Sequence, residues 1–174
     1  MKRFVFALLT LLAAAAASYA EKPVTRFVWG ADAGASIDLS GSDMSTIDFN
    51  AVFGMSRGWI KFLGIGAEAD IMVSNSCRSY PIYVNFRTNF RNRPSLLFWD
   101  LKLGTSLNYL EHNHQQTGLY GATGLGINLA RGAKFSSHLI IGYTFRERRN
   151  VVGAEMVHHF QSLSSAGVKI GVLF

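Results

Sequence analysis

The chain has 174 residues, enough for one domain with a substantial interior and short for two. Hydrophobic residues make up 49% and charged residues 16%, and the single cysteine, Cys77, excludes a fold stapled by internal disulfides. A formal charge of +6 suits nucleic acid or anionic lipid, and the export address carried by the first residues leaves lipid, with no nucleic-acid partner expected.

Residues 1–20 read as a cleaved secretory signal peptide. Lys2 and Arg3 form a positive start, Phe4 to Ala17 an apolar stretch, and Ser18-Tyr19-Ala20 a small-residue cleavage site. The apolar stretch is shorter than the roughly 20 residues a membrane helix needs. No cysteine at the cleavage site offers a lipid anchor. Residues 21–174 then form the mature domain, and no later run is apolar for long enough to cross as a helix. Any mature span must therefore be built of strands.

Period-2 alternation runs through the mature chain. In Arg26–Leu39, Phe27, Trp29, Ala31, Ala33, Ala35 and Ile37 face one way, and Asp32, Gly34 and Ser36 the other. In Ser45–Met55, Ile47, Phe49, Ala51 and Phe53 oppose Thr46, Asp48, Asn50 and Gly54. Lys61–Val73 sets Leu63, Ile65 and Ile71 against Gly64, Gly66, Glu68 and Asp70. Tyr80–Phe90 sets Ile82, Val84 and Phe86 against Tyr83, Asn85 and Arg87. The segment from Leu97 sets Trp99, Leu101, Leu103 and Tyr109 against Phe98, Asp100, Lys102 and Asn108. The last three run through Leu119–Leu129, Leu139–Arg146 and Ala166–Phe174, with Arg146 and Lys169 on the polar faces. These segments predict an eight-stranded, antiparallel, up-and-down transmembrane β-barrel, each strand near the ~10 residues a tilted span requires.

The alternative is a soluble, lipocalin-like cup, whose apolar face would point inward. The long, bulky apolar faces favour lipid outside. The Gly-rich polar faces, with charges of both signs, favour a narrow filled lumen. The expected lumen network is Asp32, Asp48, Glu68, Asp70, Arg87, Asp100, Lys102, Arg146 and Lys169. Trp29, Trp59, Tyr80, Tyr109 and Tyr120 lie near strand ends, as an interfacial aromatic girdle would. Connections alternate between short turns (Ser56–Trp59, Arg91–Pro94, Arg131–Lys134) and longer segments. Outer-membrane barrels keep short turns periplasmic and long loops external, which puts both mature termini in the periplasm.

The signal peptide, the strand Tyr120-Gly121-Ala122-Thr123-Gly124-Leu125-Gly126, the segment Leu139–Phe145 and the alternating last strand ending in Phe174 carry a family resemblance. The chain resembles the small eight-stranded outer-membrane barrels of the OmpA-type and porin-like superfamily, particularly barrel-only proteins of Bacteroidota. The resemblance implies residence in the outer membrane of a Gram-negative cell. It also implies contact with outer-membrane lipid and a terminal Phe174 read by the barrel-insertion machinery. It is loose for function, because such barrels act as anchors, adhesins, pores and enzymes.

No catalytic, metal or cofactor site is expected. The chain also resembles surface lipid A deacylases in size, barrel type and terminal Phe. The His-x-Ser pairing of that family is missing: His138 follows Ser136-Ser137, and Ser162, Ser164 and Ser165 follow His158-His159. His112 and His114 form one His-x-His pair without a second ligand cluster. Gly124-x-Gly126 precedes no helix, so it is no nucleotide motif. The expected role is non-enzymatic, structural or binding a partner through loops 111–118 and 147–162, with a small pore and a lipid hydrolase as alternatives. The segment from Glu147 to Ser162 suits a partner surface, or it could continue strands above the membrane.

Overall fold

The computed structural model describes residues 24–41, 45–73, 77–90, 95–109, 115–132, 134–150 and 159–174. The expected signal peptide, His112, His114 and His158 lie outside them. Every regular element among the described residues is a strand: β1 (Arg26–Asp38), β2 (Thr46–Arg57), β3 (Ile60–Met72), β4 (Arg78–Asn89), β5 (Leu97–Tyr109), β6 (Gln115–Arg131), β7 (Ser136–Asn150) and β8 (His159–Leu173). Each strand pairs antiparallel with its sequence neighbours, and β8 returns to β1 to close the barrel. The seam runs from Gly30↔Leu173 to Asp38↔Ser165, and Trp29 and Phe174 exchange backbone hydrogen bonds of 3.2 and 2.8 Å beyond it. Closure leaves no strand edge, the condition for satisfying backbone groups without water.

The alternation sorts side chains to opposite faces. Ile65, Leu103, Leu125 and Ile170 are more than half exposed on the outside. Asp70, Asn85, Arg87, His138, Phe62 and Phe98 are wholly buried inside. A soluble fold would reverse this arrangement, because exposing the large apolar side chains to water is costly. An apolar outer face around a polar interior is the arrangement that membrane barrels have.

Glycine makes the narrow interior fillable. Tyr83 lies between Gly66 and Gly104 on the neighbouring strands. A Cβ on Gly66 would stand 2.5 Å from the Tyr83 ring, and one on Gly126 would stand 2.0 Å from Phe98. Large rings on one strand thus occupy the space that the facing glycine leaves. Tyr120 stacks on Tyr83 with centroids 5.5 Å apart.

Tyr120 corrects the sequence expectation of an interfacial ring. It is fully buried in the lumen, because its position in β6 puts it on the inward face with Gly118 and Ala122. The strand boundaries also differ from those expected. β6 already begins at Gln115, and β7 and β8 remain paired to Asn150↔His159. Backbone pairing in the β7–β8 hairpin therefore extends through 147–150 and 159–162, where sequence left loop and strand open. Pairing between β8 and β1 runs to Asp38↔Ser165, with one further backbone hydrogen bond from Leu39 to Ser164, so this hairpin continues past the β1 side of the barrel.

Candidate functional site

The lumen is the chemically distinctive part of the molecule. Two hubs of opposite sign organise it. Arg87 on β4 is wholly buried and serves two carboxylates. Its Nε donates to Asp100 Oδ1 on the adjacent strand at 2.8 Å, and its Nη2 reaches across the lumen to Asp32 Oδ2 on β1 at 2.6 Å. Asn85 adds a 2.9 Å hydrogen bond to Asp100. The planar guanidinium suits this work, presenting several donors in a fixed fork.

Glu68 on β3 is the converse, one carboxylate serving two cations. Lys102 on β5 approaches at 3.2 Å and Lys169 on β8 at 2.5 Å, and the Tyr120 hydroxyl donates at 3.3 Å. Lys169 also lies 3.5 Å from Asp48, which accepts from Ser36 at 2.6 Å and from Thr46 at 2.5 Å. Asp70 meets Arg146 in an ion pair of 2.6 Å whose angle falls short of a hydrogen bond. In the amide orientation that satisfies both neighbours, Asn50 links the hubs, donating to Asp32 at 2.9 Å and accepting from Lys102 at 3.1 Å.

All nine charges expected in the lumen are thus buried, and each takes part in an ion pair with another of them. The pairs from Arg87 to Asp32, Lys102 to Glu68, Lys169 to Glu68 and Arg146 to Asp70 join non-adjacent strands. They act as struts across the lumen. Pairing of this kind is what makes buried charges tolerable. Arg87 lies over Phe62, Lys102 over Tyr83 and Arg146 over Tyr120, with 5.8, 4.8 and 5.9 Å to the ring centroids. The rings contribute cation–π attraction and exclude water. Beside the hubs, the largest wholly buried side chains fill the middle of the barrel.

His138 belongs to the Arg87 hub. Its Nε2 lies 2.8 Å from Asp32 Oδ1 and 3.1 Å from Arg87 Nη1. Asp32 and His138 stand on strands either side of Gly171, which pairs with both. A Cβ on Gly171 would fall 1.8 Å from Asp32 Oδ1, so the glycine leaves the gap through which the two side chains meet. Among the described residues, His138 makes no hydrogen bond to a serine, and its Nδ1 has no hydrogen-bond partner.

The remaining aromatics lie toward the two ends. Trp29 stacks on Phe174 at 4.7 Å near the closed-turn end. Trp59, half-buried in the β2–β3 turn, packs edge-on against Phe86 at 6.1 Å. Tyr80 and Tyr109 pack edge-on at 5.7 Å toward the loop end. Sequence parity missed Lys61. Its neighbours Leu63 and Ile65 face outward, yet Lys61 is half-buried, bonds to Asn128 and lies 3.6 Å from the centroid of the Phe98 ring. The pairing skips a residue between Ile60 and Phe62 and again between Met55 and Arg57. Such a bulge re-aims a side chain.

An antiparallel eight-stranded barrel, apolar outside and charged inside, has the architecture of the small outer-membrane barrels. The crystal structure of Neisserial surface protein A is similar to this chain, with a TM-score of 0.54 and 16% identity over 86% of this chain and 97% of that one. The likeness establishes the closed antiparallel barrel. No protein-family model matches the sequence, and no curated protein is significantly similar to it.

Proposed function

We propose that the protein is a non-enzymatic outer-membrane barrel: a rigid anchor that carries its long-loop end, including the β7–β8 hairpin, to an external partner. The observation that carries this reading is the set of charged struts across a filled lumen, inside a bare apolar outer face. An eight-stranded barrel encloses just enough space for its own side chains. Ion pairs placed there hold the walls together and give the loops a stiff base. His138, engaged by Asp32 and Arg87, is read as a member of the strut system rather than a catalytic base. Both termini then face the periplasm, residues 1–20 act as the export signal, and Phe174 contributes to the insertion signal.

Planar bilayers test the reading. Reconstituted protein should stay electrically silent, and steady conductance from the unaltered chain would overturn the plug in favour of a small pore. Orientation is tested separately, by labelling single cysteines in whole cells with an impermeant maleimide. A cysteine at Ser40 should react, and one at Gly132 should not. The reverse result would invert the barrel.

A further inference from the structure

At the end of the barrel that holds the short turns and the chain termini, the lumen widens into a cavity of about 630 Å³. That size falls within the range of small-ligand sites. Four cations line it, Arg26, Lys61, Arg131 and Lys134, and among the described residues no Asp or Glu side chain does. Lys61 differs from every other cation inside the barrel. Arg87, Lys102, Arg146 and Lys169 each hold a carboxylate within 3.5 Å. Lys61 has only the Asn128 amide oxygen and the face of Phe98, with no carboxylate in ion-pair range among the described residues. Asp32 and Asp100, the side-chain carboxylates that act on Lys61 at longer range, are already taken up by Arg87 and His138.

The skipped residue in β3 is what turns Lys61 toward this cavity, and a second register shift between Asn128 and Ala130 bounds its other side. Two irregularities thus open one mouth and aim a cation into it. The rim mixes chemistries in a telling way. Exposed Phe27, Phe135 and Phe174 line the same cavity as the basic side chains. A soluble anion would need the cations only. A ligand with an anionic head and apolar tails matches both sets of groups.

We propose that this mouth is a binding site for the phosphate headgroup of an anionic phospholipid from the surrounding leaflet, with Lys61 as the inner ligand and Arg131 at the rim. The proposal rests on the membrane reading above. The phosphate accepts from the Lys61 ammonium inside the mouth, while the acyl chains lie outside along Phe27 and Phe174. The site would tie the barrel to one leaflet at its terminal end.

Native mass spectrometry of the full chain, released from nanodiscs of phosphatidylethanolamine and phosphatidylglycerol, tests this. The protein should retain phosphatidylglycerol over phosphatidylethanolamine by about tenfold, because the phosphate of the second lipid brings an ammonium group among the four cations of the mouth. Lys61→Gln should bring that preference close to unity, and Arg131→Gln, at an exposed rim position, should lower it in the same direction. Arg78→Gln, which removes a charge at the opposite end, should leave it unchanged. A wild-type protein without preference would overturn the site, as would a preference that survives both Lys61→Gln and Arg131→Gln. An equal loss in Arg78→Gln would also overturn it, reducing the effect to diffuse charge. Inorganic phosphate bound in detergent without anionic lipid, and lost in Lys61→Gln, would overturn the lipid assignment in favour of a free anion. Gel mobility of the same nanodisc samples, unheated and boiled, separates the two levels. A heat-dependent shift without lipid preference removes only the headgroup site, whereas no shift removes the membrane barrel itself.

Discussion

The two hubs of the lumen are mirror images. Around Arg87 one cation is shared by Asp32 and Asp100, and around Glu68 one anion is shared by Lys102 and Lys169. They differ in reserve. The carboxylates of the Arg87 hub have His138 and Asn85 as further partners, neither of them a fixed positive charge. In the Glu68 hub, Lys169 keeps a second carboxylate, Asp48, at 3.5 Å. The comparison teaches that buried charge is organised around the group whose removal strands most, and that a guanidinium at such a point has no substitute.

The largest effect is expected at that point. Arg87→Met leaves Asp32 and Asp100 buried without a strong counter-charge and should cost about 3–5 kcal/mol. It should show as a lower urea midpoint for loss of the heat-modifiable form. An unchanged midpoint would mean that the hub is not a strut. Next comes the outer face, where no hub exists. Ile65→Lys places a charge toward hydrocarbon at mid-strand and should cost about 2–4 kcal/mol in a bilayer. If this outer face met water instead of lipid, the same substitution would cost almost nothing, so refolding yield in lipid vesicles distinguishes the two surroundings.

Glu68→Gln should cost less than Arg87→Met, about 2–3 kcal/mol, because Lys169 retains Asp48 and the amide still accepts a hydrogen bond. A loss equal to that of Arg87→Met would remove the asymmetry between the hubs. The smallest effect sharpens the picture inside one hub. Gly171→Ala pushes a methyl group into the Asp32–His138 contact and should cost about 1–2 kcal/mol, read from the same urea titration. If Gly171→Ala is silent, His138 contributes nothing to the Arg87 hub.

The strand pattern and the lumen charges are legible in the sequence because a strand has a period of two and a closed barrel has two surroundings. A residue such as Asp48 or Arg87 needs only its parity to be assigned a side. The same parity places Tyr120 inside, and the girdle expectation failed because it weighed nearness to a strand end over face. The extent of β7 and β8 was not legible. Residues 147–150 and 159–162 carry polar and apolar groups that suit a loop or a ladder, and only the pairing partner decides between them.

Sequence by itself therefore determined the number of strands, the face of nearly every side chain and the polarity of inside against outside. All three follow from local alternation and composition. Tertiary structure alone decided which charges share a hub, since Asp32 and Arg87 meet across the lumen from strands far apart in the chain. It also decided where Lys61 points. One skipped pairing beside Ile60 breaks the period of two, and no pattern read along a single strand contains the register of the strands beside it.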